Sequence, residues 1–110
     1  MPSDAASIRI ALTATGTVEE GQRLARQLVE RHLAACVNVI PNLTSVYRWR
    51  GAIEEASEVL LLIKTTKEML GALESALREL HSYDVPEFLV LDVDSGSQPY
   101  LDWLLNSVAQ

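Results

Sequence analysis

Ser45-Val-Tyr-Arg-Trp-Arg-Gly-Ala-Ile-Glu54 places a turn between two runs of β-forming residues near the middle of the chain. The run Val46–Trp49 is rich in β-branched and aromatic side chains, and Arg50-Gly51-Ala52 is typical of a hairpin turn. The return strand extends from Ile53 to Lys64. The sequence therefore predicts a long central β-hairpin, around which the other elements must be arranged.

The residues before the hairpin predict a strand, a helix and the start of a second strand. Apolar and polar residues alternate from Ile8 to Leu12, which indicates a half-buried strand. Thr17 and Glu20 form a capping-box signature before a helical run. Strand-like sequence resumes at Cys36–Ile40 and is interrupted at Pro41-Asn42.

The residues after the hairpin repeat this helix-then-strand order. Thr65 and Glu68 form a second capping-box signature, which predicts the start of another helix there. A fourth strand is predicted from Glu87 to Val93. Pro99 suits the first turn of a short C-terminal helix that ends near Val108.

The predicted order is βαββαβ plus a C-terminal helix, which is the α+β arrangement of a ferredoxin-like sandwich. We expect strands one and three to be parallel neighbours. The ends of all four strands would then meet at one edge of the sheet. That edge would bring together Thr13, Thr15, Cys36, Lys64 and the loop 81–87.

Length and composition limit the class of protein. With 110 residues, of which 48% are hydrophobic, the chain fits one domain spanning residues 1–110. The net charge of -6 opposes binding to nucleic acid. The segment Met1–Asp4 has no signal-peptide pattern, Val59–Ile63 is too short to cross a membrane, and Cys36 is the single cysteine. We expect a cytoplasmic protein without membrane segments.

The arms of the hairpin are too long for a domain of this size. Arms of about 12 to 15 residues would extend roughly 40 to 50 Å, whereas the radius of gyration expected for the domain is about 13 Å. The overhang carries the large apolar side chains of Tyr47 and Trp49. We expect these two residues to pack against another copy of the chain.

The loop His81-Ser-Tyr-Asp-Val-Pro-Glu87 concentrates reactive side chains before the fourth strand. An imidazole, a carboxylate and a thiolate from His81, Glu87 and Cys36 could bind a divalent metal such as copper. His81 could instead cap a helix, and Cys36 could belong to the core.

Other polar side chains could serve a small ligand at the same edge. Lys64 could hold an anion or extend into solvent, and Tyr83 could orient a carboxylate or pack its ring. Thr15 is the third residue that we expect to contact a small ligand, together with Lys64 and Tyr83. Glu54, Glu55 and Glu58 are interpreted as a solvated face, with weak cation binding as the alternative.

Five segments together resemble one family across nearly the whole chain. They are Leu33–Val39, Ser45–Glu54, Glu58–Thr66, His81–Glu87 and Tyr100–Trp103. The chain is similar to the CutA divalent cation tolerance family. The resemblance implies a trimer of ferredoxin-like protomers, similar in architecture to PII signalling proteins, with a role in tolerance to copper and other divalent cations. Ser82 and Asp84 stand where the family often has proline and glutamate.

The motifs of alternative function classes do not occur. The loop Ala14–Thr17 has only one glycine, too few for an acylphosphatase-like phosphate cradle, and a Cys-x-x-Cys metallochaperone motif needs a second cysteine. No Ser-His-Asp, Walker or dinucleotide motif occurs. We expect a protein that is not an enzyme. Two functions remain: a metal-responsive trimer, or a PII-like trimer that holds a small anion between its subunits.

Overall fold

A computed structural model describes residues 4–108. The expectation about a signal peptide falls mainly on residues 1–3, which lie outside this range. The elements, in chain order, are β1 (Ile8–Thr15), α1 (Val18–Glu30), β2 (Cys36–Trp49), β3 (Ala52–Thr66), α2 (Leu70–Leu80), β4 (Leu89–Asp92) and α3 (Gln98–Val108), with short 3-10 turns at Asp4–Ser7 and Lys67–Met69. The predicted ferredoxin-like α+β fold is confirmed.

The four strands form one sheet in the order β2-β3-β1-β4. The expectation that β1 and β3 are parallel is wrong, because every neighbouring pair in the sheet is antiparallel. The connection through helix α1 makes β1 and β2 run in the same direction, but β3 lies between them in the sheet. The hairpin then reverses the chain, so that β3 runs against β1.

The central hairpin closes through a two-residue turn. Trp49 pairs with Ala52, and Arg50 and Gly51 between them have φ angles of 51° and 82°. Two positive φ values identify the type I′ turn, whose twist matches that of the flanking strands. The longest dimension of the protein is 50 Å, against 26 and 23 Å for the others. The hairpin therefore overhangs the body of the protein, as predicted.

The interruption predicted in the second strand is a bulge and not a break. The register shifts between Ile40 and Leu43, and Asn42 has a φ of 65°. β2 continues past this point to Trp49. The bulge lets one strand pair with β3 along its length while changing its local twist.

Helix α1 has a defined cap at each end. The amide of Glu20 donates to the Thr17 hydroxyl over 3.1 Å, which confirms this half of the predicted capping box. At the other end His32 has a φ of 59°, and the amide of Leu33 bonds the carbonyl of Leu28 over 3.0 Å. This is a Schellman termination with histidine where glycine is usual.

The second predicted helix cap is wrong. β3 extends through Thr66, and the Thr65 hydroxyl donates to the carbonyl of Leu33 over 2.7 Å. Most buried hydroxyls find a hydrogen-bond partner, and the acceptor for the fully buried Thr65 hydroxyl is in the loop before β2. The fourth strand is also shorter than predicted, since pairing covers only Leu89–Asp92.

Helices α1 and α2 cover one face of the sheet. We call this the covered face; its strand residues include Ala11, Leu61 and Ile63, which are all fully buried. α1 contributes Leu24 and Leu28 to the same core. This cluster is the main apolar core of the protomer.

The opposite face of the sheet is largely uncovered. The part of it that is left uncovered, which we call the open face, includes six aliphatic side chains of β1, β3 and β4: Ile10, Leu12, Leu60, Leu62, Leu89 and Leu91. The first four are half-buried, while Leu89 and Leu91 are 58% and 49% exposed. At one end of the same side of the sheet, α3 packs against Ile8 together with Ala5, and the cluster that they form does not include the six residues. In the described part of the chain, no helix is long and apolar enough to cross a membrane.

Candidate functional site

The imidazole of His81 links the end of α2 to β1. Its side chain has no exposed surface, Nε2 lies 2.7 Å from the carbonyl oxygen of Ala14, and Nδ1 lies 3.0 Å from the amide nitrogen of Tyr83. A carbonyl can only accept and an amide can only donate, so Nε2 carries the proton and Nδ1 accepts. Both ring nitrogens are thus engaged within the protein.

A carboxylate from α1 fixes the residue after this histidine. Glu20 Oε2 accepts the amide of Ser82 over 2.9 Å and lies 3.9 Å from Nδ1 of His81. Burial acts to raise the pKa of Glu20, but hydrogen bonds from Ser82 and Gly16 hold it below its ordinary value. The loop that begins at His81 is therefore tied to the first turn of α1.

Tyr83 connects this loop to the hairpin. Its ring lies against His81 with centroids 4.7 Å apart, and its hydroxyl donates to Glu58 Oε2 over 2.9 Å. Burial, together with the hydrogen bond to and the charge of Glu58, raises the pKa of Tyr83 to about 12. The phenol therefore stays protonated and donates a hydrogen bond across the physiological pH range.

An open groove of about 760 Å³ lies between the loop and the hairpin. Four carboxylates and three aromatic side chains stand along it, and no basic residue lines it among those the structure describes. The acidic residues are Glu54, Glu58, Asp84 and Glu87, and the aromatic residues are Tyr47, Trp49 and Tyr83. We call this feature the acidic groove; its composition suits a cationic occupant.

Cys36 and Lys64 lie away from the acidic groove. They face each other across β2 and β3, and Lys64 pairs on its other side with Ile10 of β1. The ammonium of Lys64 donates to the hydroxyl of Tyr100 over 3.2 Å and lies 5.6 Å from the centre of that ring. Lys64 is thus engaged with α3.

Thr15 marks the opposite end of β1. It is fully buried, its hydroxyl donates to the carbonyl of Thr17 over 3.0 Å, and it pairs with Val59. From Val59 to Lys64 is five residues along β3, or about 16 Å at the rise of a strand. Thr15 is therefore a structural residue that presents no group to the groove.

The predicted meeting of all strand ends at one edge is wrong, because it depended on a parallel pairing of β1 and β3. The structure brings Tyr83 and Glu87 together in the groove and leaves Cys36 and Lys64 at the far end of the sheet. Within residues 4–108, no group of three or more His, Cys, Asp or Glu side chains is placed to hold a metal. One protomer thus does not assemble His81, Glu87 and Cys36 into one site.

Several groove residues were not predicted as site residues from the sequence. Glu54 and Glu58 were interpreted as solvated, yet both line the groove together with Asp84. The alternation of side chains along a strand could have grouped them, because residues an even number of positions apart share one face. Glu54 and Glu58 share one face of the hairpin in this way, and Tyr47 pairs directly with Glu54. The sequence could not have predicted the partners of His81. One of them is the backbone carbonyl of Ala14, a group that every residue carries.

Comparison with known proteins extends over most of the chain. Residues 9–107 match the family model described as CutA1 divalent ion tolerance protein. The divalent-cation tolerance protein CutA of Thermus thermophilus is 44% identical over 95 residues, covering 86% of this chain and 92% of that protein. Protein CutA of Mus musculus is 44% identical over 98 residues, and the match spans about half, 55%, of its length.

Solved structures give the same result. The crystal structure of CutA1 from Oryza sativa has a TM-score of 0.93 at 38% identity, covering 98% of this chain and 99% of that one. The divalent cation tolerance protein of Thermus thermophilus has a TM-score of 0.90 at 41% identity, covering 93% and 99%. The chain therefore belongs to the CutA1 divalent ion tolerance protein family.

Proposed function

We propose that this protein serves in divalent-cation tolerance as a self-associating, non-catalytic protein that binds cations in its acidic groove. The observation that carries the proposal is the lining of that groove, where four carboxylates stand without a basic side chain among the described residues. Carboxylate oxygens are general ligands for divalent ions. Within residues 4–108 of one protomer no three of them are placed to hold one ion, so water or a second copy must complete the coordination of a bound cation. The names of the family model and of a relative, which refer to divalent-ion and divalent-cation tolerance, also support a role that involves divalent cations.

Copper remains the metal that we propose to test first, with Glu87 as a groove ligand. His81 is a poor candidate as it stands, because a metal would have to displace the hydrogen bond that holds one of its nitrogens. Cys36 is half-buried at the far end of the sheet, so a thiolate site there would be separate from the groove. Carboxylates without imidazole or thiolate give modest affinity for copper.

Self-association belongs to the proposal because the open face needs a partner. Six aliphatic side chains lie on that face, and Leu89 and Leu91 stand about half exposed. The overhanging hairpin adds Trp49, which is 55% exposed, and Tyr47, which is 42% exposed. A contiguous apolar surface of this kind is typical of an interface. We propose a homotrimer, held by the open face and the hairpin, in the cytoplasm.

A PII-like protein that holds an anion is less well supported. That reading required Lys64 and His81 to share a cleft, and Lys64 is instead bound to Tyr100. His81 contacts Ala14, four residues along β1 from the partner of Lys64. A groove lined by carboxylates repels anions.

The test is calorimetric titration of the purified protein with copper, zinc and magnesium, and with a nucleotide as the anionic probe. We expect cation binding to weaken at least tenfold in an Asp84→Asn, Glu87→Gln double variant. The matched control is Glu19→Gln with Glu30→Gln, which removes two exposed carboxylates from α1, outside the groove. The cation proposal fails if the two double variants bind alike, and nucleotide binding in place of cation binding would favour the anion reading. Loss of copper binding in Cys36→Ser would move the copper site to the thiol.

A further inference from the structure

Two consecutive amides at the start of the loop 82–87 are held by side chains. The amide of Ser82 donates to Glu20 Oε2 over 2.9 Å, and the amide of Tyr83 donates to Nδ1 of His81 over 3.0 Å. The two acceptor atoms lie only 3.9 Å apart, and the side chains of Glu20 and His81 are 12% and 0% exposed. The path of the chain into this loop therefore depends on what a buried imidazole can accept.

Protonation of this imidazole would exchange an acceptor for a donor. A neutral ring accepts at one nitrogen, whereas an imidazolium donates from both, and imidazoles take up the second proton between about pH 5 and 8. With a proton on Nδ1 of His81, the amide of Tyr83 would face a second donor at 3.0 Å and lose its hydrogen bond. Nε2 would go on donating to the carbonyl of Ala14, so the ring would stay anchored. The change therefore falls on the loop.

Glu20 is placed to stabilise the charged ring, because a buried imidazolium needs an anion beside it. Among the described residues, its carboxylate is the one that lies within 4.0 Å of a ring nitrogen of His81. The carboxylate of Glu58 is separated from the ring by Tyr83, whose hydroxyl it accepts. Other charged side chains on the surrounding elements are Asp84 in the loop, Arg23 on α1, which donates to the carbonyl of Leu80 over 3.5 Å at an exposed position, and Arg78 and Glu79 on α2, which pair with Glu74 and Arg31.

We propose that His81 and Glu20 form a pH switch that sets the conformation of the loop 82–87 and, through it, the shape of the acidic groove. At neutral pH Nδ1 of His81 holds the amide of Tyr83, and in mild acid it donates to Glu20 and releases that amide. The loop carries Tyr83, Asp84 and Glu87 along the groove, so its rearrangement alters the groove. The effect on cation binding rests on the function proposed above, whereas the switch itself does not.

The first test is a nuclear magnetic resonance titration of the cation-free wild type from pH 8 to pH 5, which needs no variant. The chain has two histidines, so the ring signals of His81 and the exposed His32 are readily told apart. We expect the amide signals of Ser82 and Tyr83 to shift together with the ring of His81. A Tyr83 amide that stays unchanged while the ring of His81 titrates would overturn the switch, and so would a ring that takes up no proton in this range.

The second test removes the anion and keeps the hydrogen-bond acceptor. Glu20→Gln can still accept the amide of Ser82, but it offers no charge to the imidazolium. We expect the coupled transition to move to lower pH by about one pH unit or more, as loss of an opposite charge at this distance implies. The matched control is Glu19→Gln, an exposed neighbour in the same helical turn, which should leave the transition in place. Equal midpoints in the two variants would show that Glu20 is not the partner and would overturn the proposal.

Calorimetric titration with magnesium at pH 8 and pH 5 connects the switch to the groove. Affinity should fall in acid, and it should fall less in Glu20→Gln than in Glu19→Gln. An equal fall in both variants would overturn the link between the switch and the groove. Absence of magnesium binding at pH 8 would instead overturn the cation proposal above, and the resonance titration would still decide the switch.

Discussion

The two faces of the sheet are similarly apolar but differ in burial. On the covered face Leu61 and Ile63 have no exposed surface, whereas on the open face Leu62 is half-buried and Leu91 is 49% exposed. The run Val59–Ile63 is continuously apolar, as in strands that are buried on both faces. The comparison teaches that this sequence encodes two apolar surfaces, one that folds the protomer and one that we propose joins copies.

The pair Leu61→Ala and Leu62→Ala tests this difference most strongly. We expect Leu61→Ala to lower the free energy of unfolding by about 3 kcal/mol, because it leaves a cavity in a closed core. We expect Leu62→Ala to act mainly on association. Urea denaturation at several protein concentrations separates the two, since only a change in association alters the concentration dependence. Equal effects of both variants on association would mean that the faces do not have separate roles.

Local patterns predicted most of the fold. Alternating residues marked β1, the Arg50-Gly51 turn marked the hairpin, and Thr17 marked the start of α1. The error arose in the direction of β1 against β3, which sequence periodicity does not report because it describes each strand alone. The cap predicted at Thr65 failed for a related reason: its hydroxyl serves a distant carbonyl, that of Leu33.

The candidate site was predicted in part. The sequence singled out the loop 81–87 for its polar side chains, and two of the predicted residues, Tyr83 and Glu87, line the groove. The partners of His81 depend on which backbone groups it meets after folding. The proximity of Glu58 to Tyr83 likewise depends on the hairpin passing the loop. Neither relation is contained in local sequence.

The two histidines provide the next contrast, between a side chain inside the protomer and one at its surface. His81→Ala removes two buried hydrogen bonds and leaves the carbonyl of Ala14 unpaired, which we expect to cost about 2 kcal/mol. His32 is exposed and makes one long contact to Ser107, so His32→Ala should change stability by less than about 0.5 kcal/mol. Thermal unfolding of both variants measures the difference, and similar midpoints would contradict the buried, engaged state of His81.

Two threonines on the covered face differ in whether their buried hydroxyl groups form a hydrogen bond. The hydroxyl of Thr13 is buried with no hydrogen-bond partner among the described residues, whereas that of Thr15 donates to Thr17. Thr13→Val should therefore raise stability by about 1 kcal/mol, and Thr15→Val should lower it by about 1 kcal/mol. Chemical denaturation provides both values. A loss of stability in Thr13→Val would show that its hydroxyl has an acceptor after all.

The smallest effect that we expect lies on the groove side and depends on pH. Burial and Glu58 raise the pKa of Tyr83 from 10.0 to about 12 on folding. The stability that this shift contributes is present below pH 10 and disappears as the pH rises through the folded value. Tyr83→Phe should therefore be less stable than the wild type at pH 9, and the gap should narrow by pH 12. A constant gap would show that folding does not raise the pKa of Tyr83.

The most direct test of the two-surface account is the mass of the protein in solution. Light scattering coupled to size-exclusion chromatography should report a trimer of about 36 kDa at micromolar concentration, from chains of 12.1 kDa each. The same measurement on a Leu62→Asp, Leu91→Asp variant, which places charges on the open face only, should report a folded protein of lower mass. A wild type that runs as a monomer would contradict the account, because its open face would then need no partner.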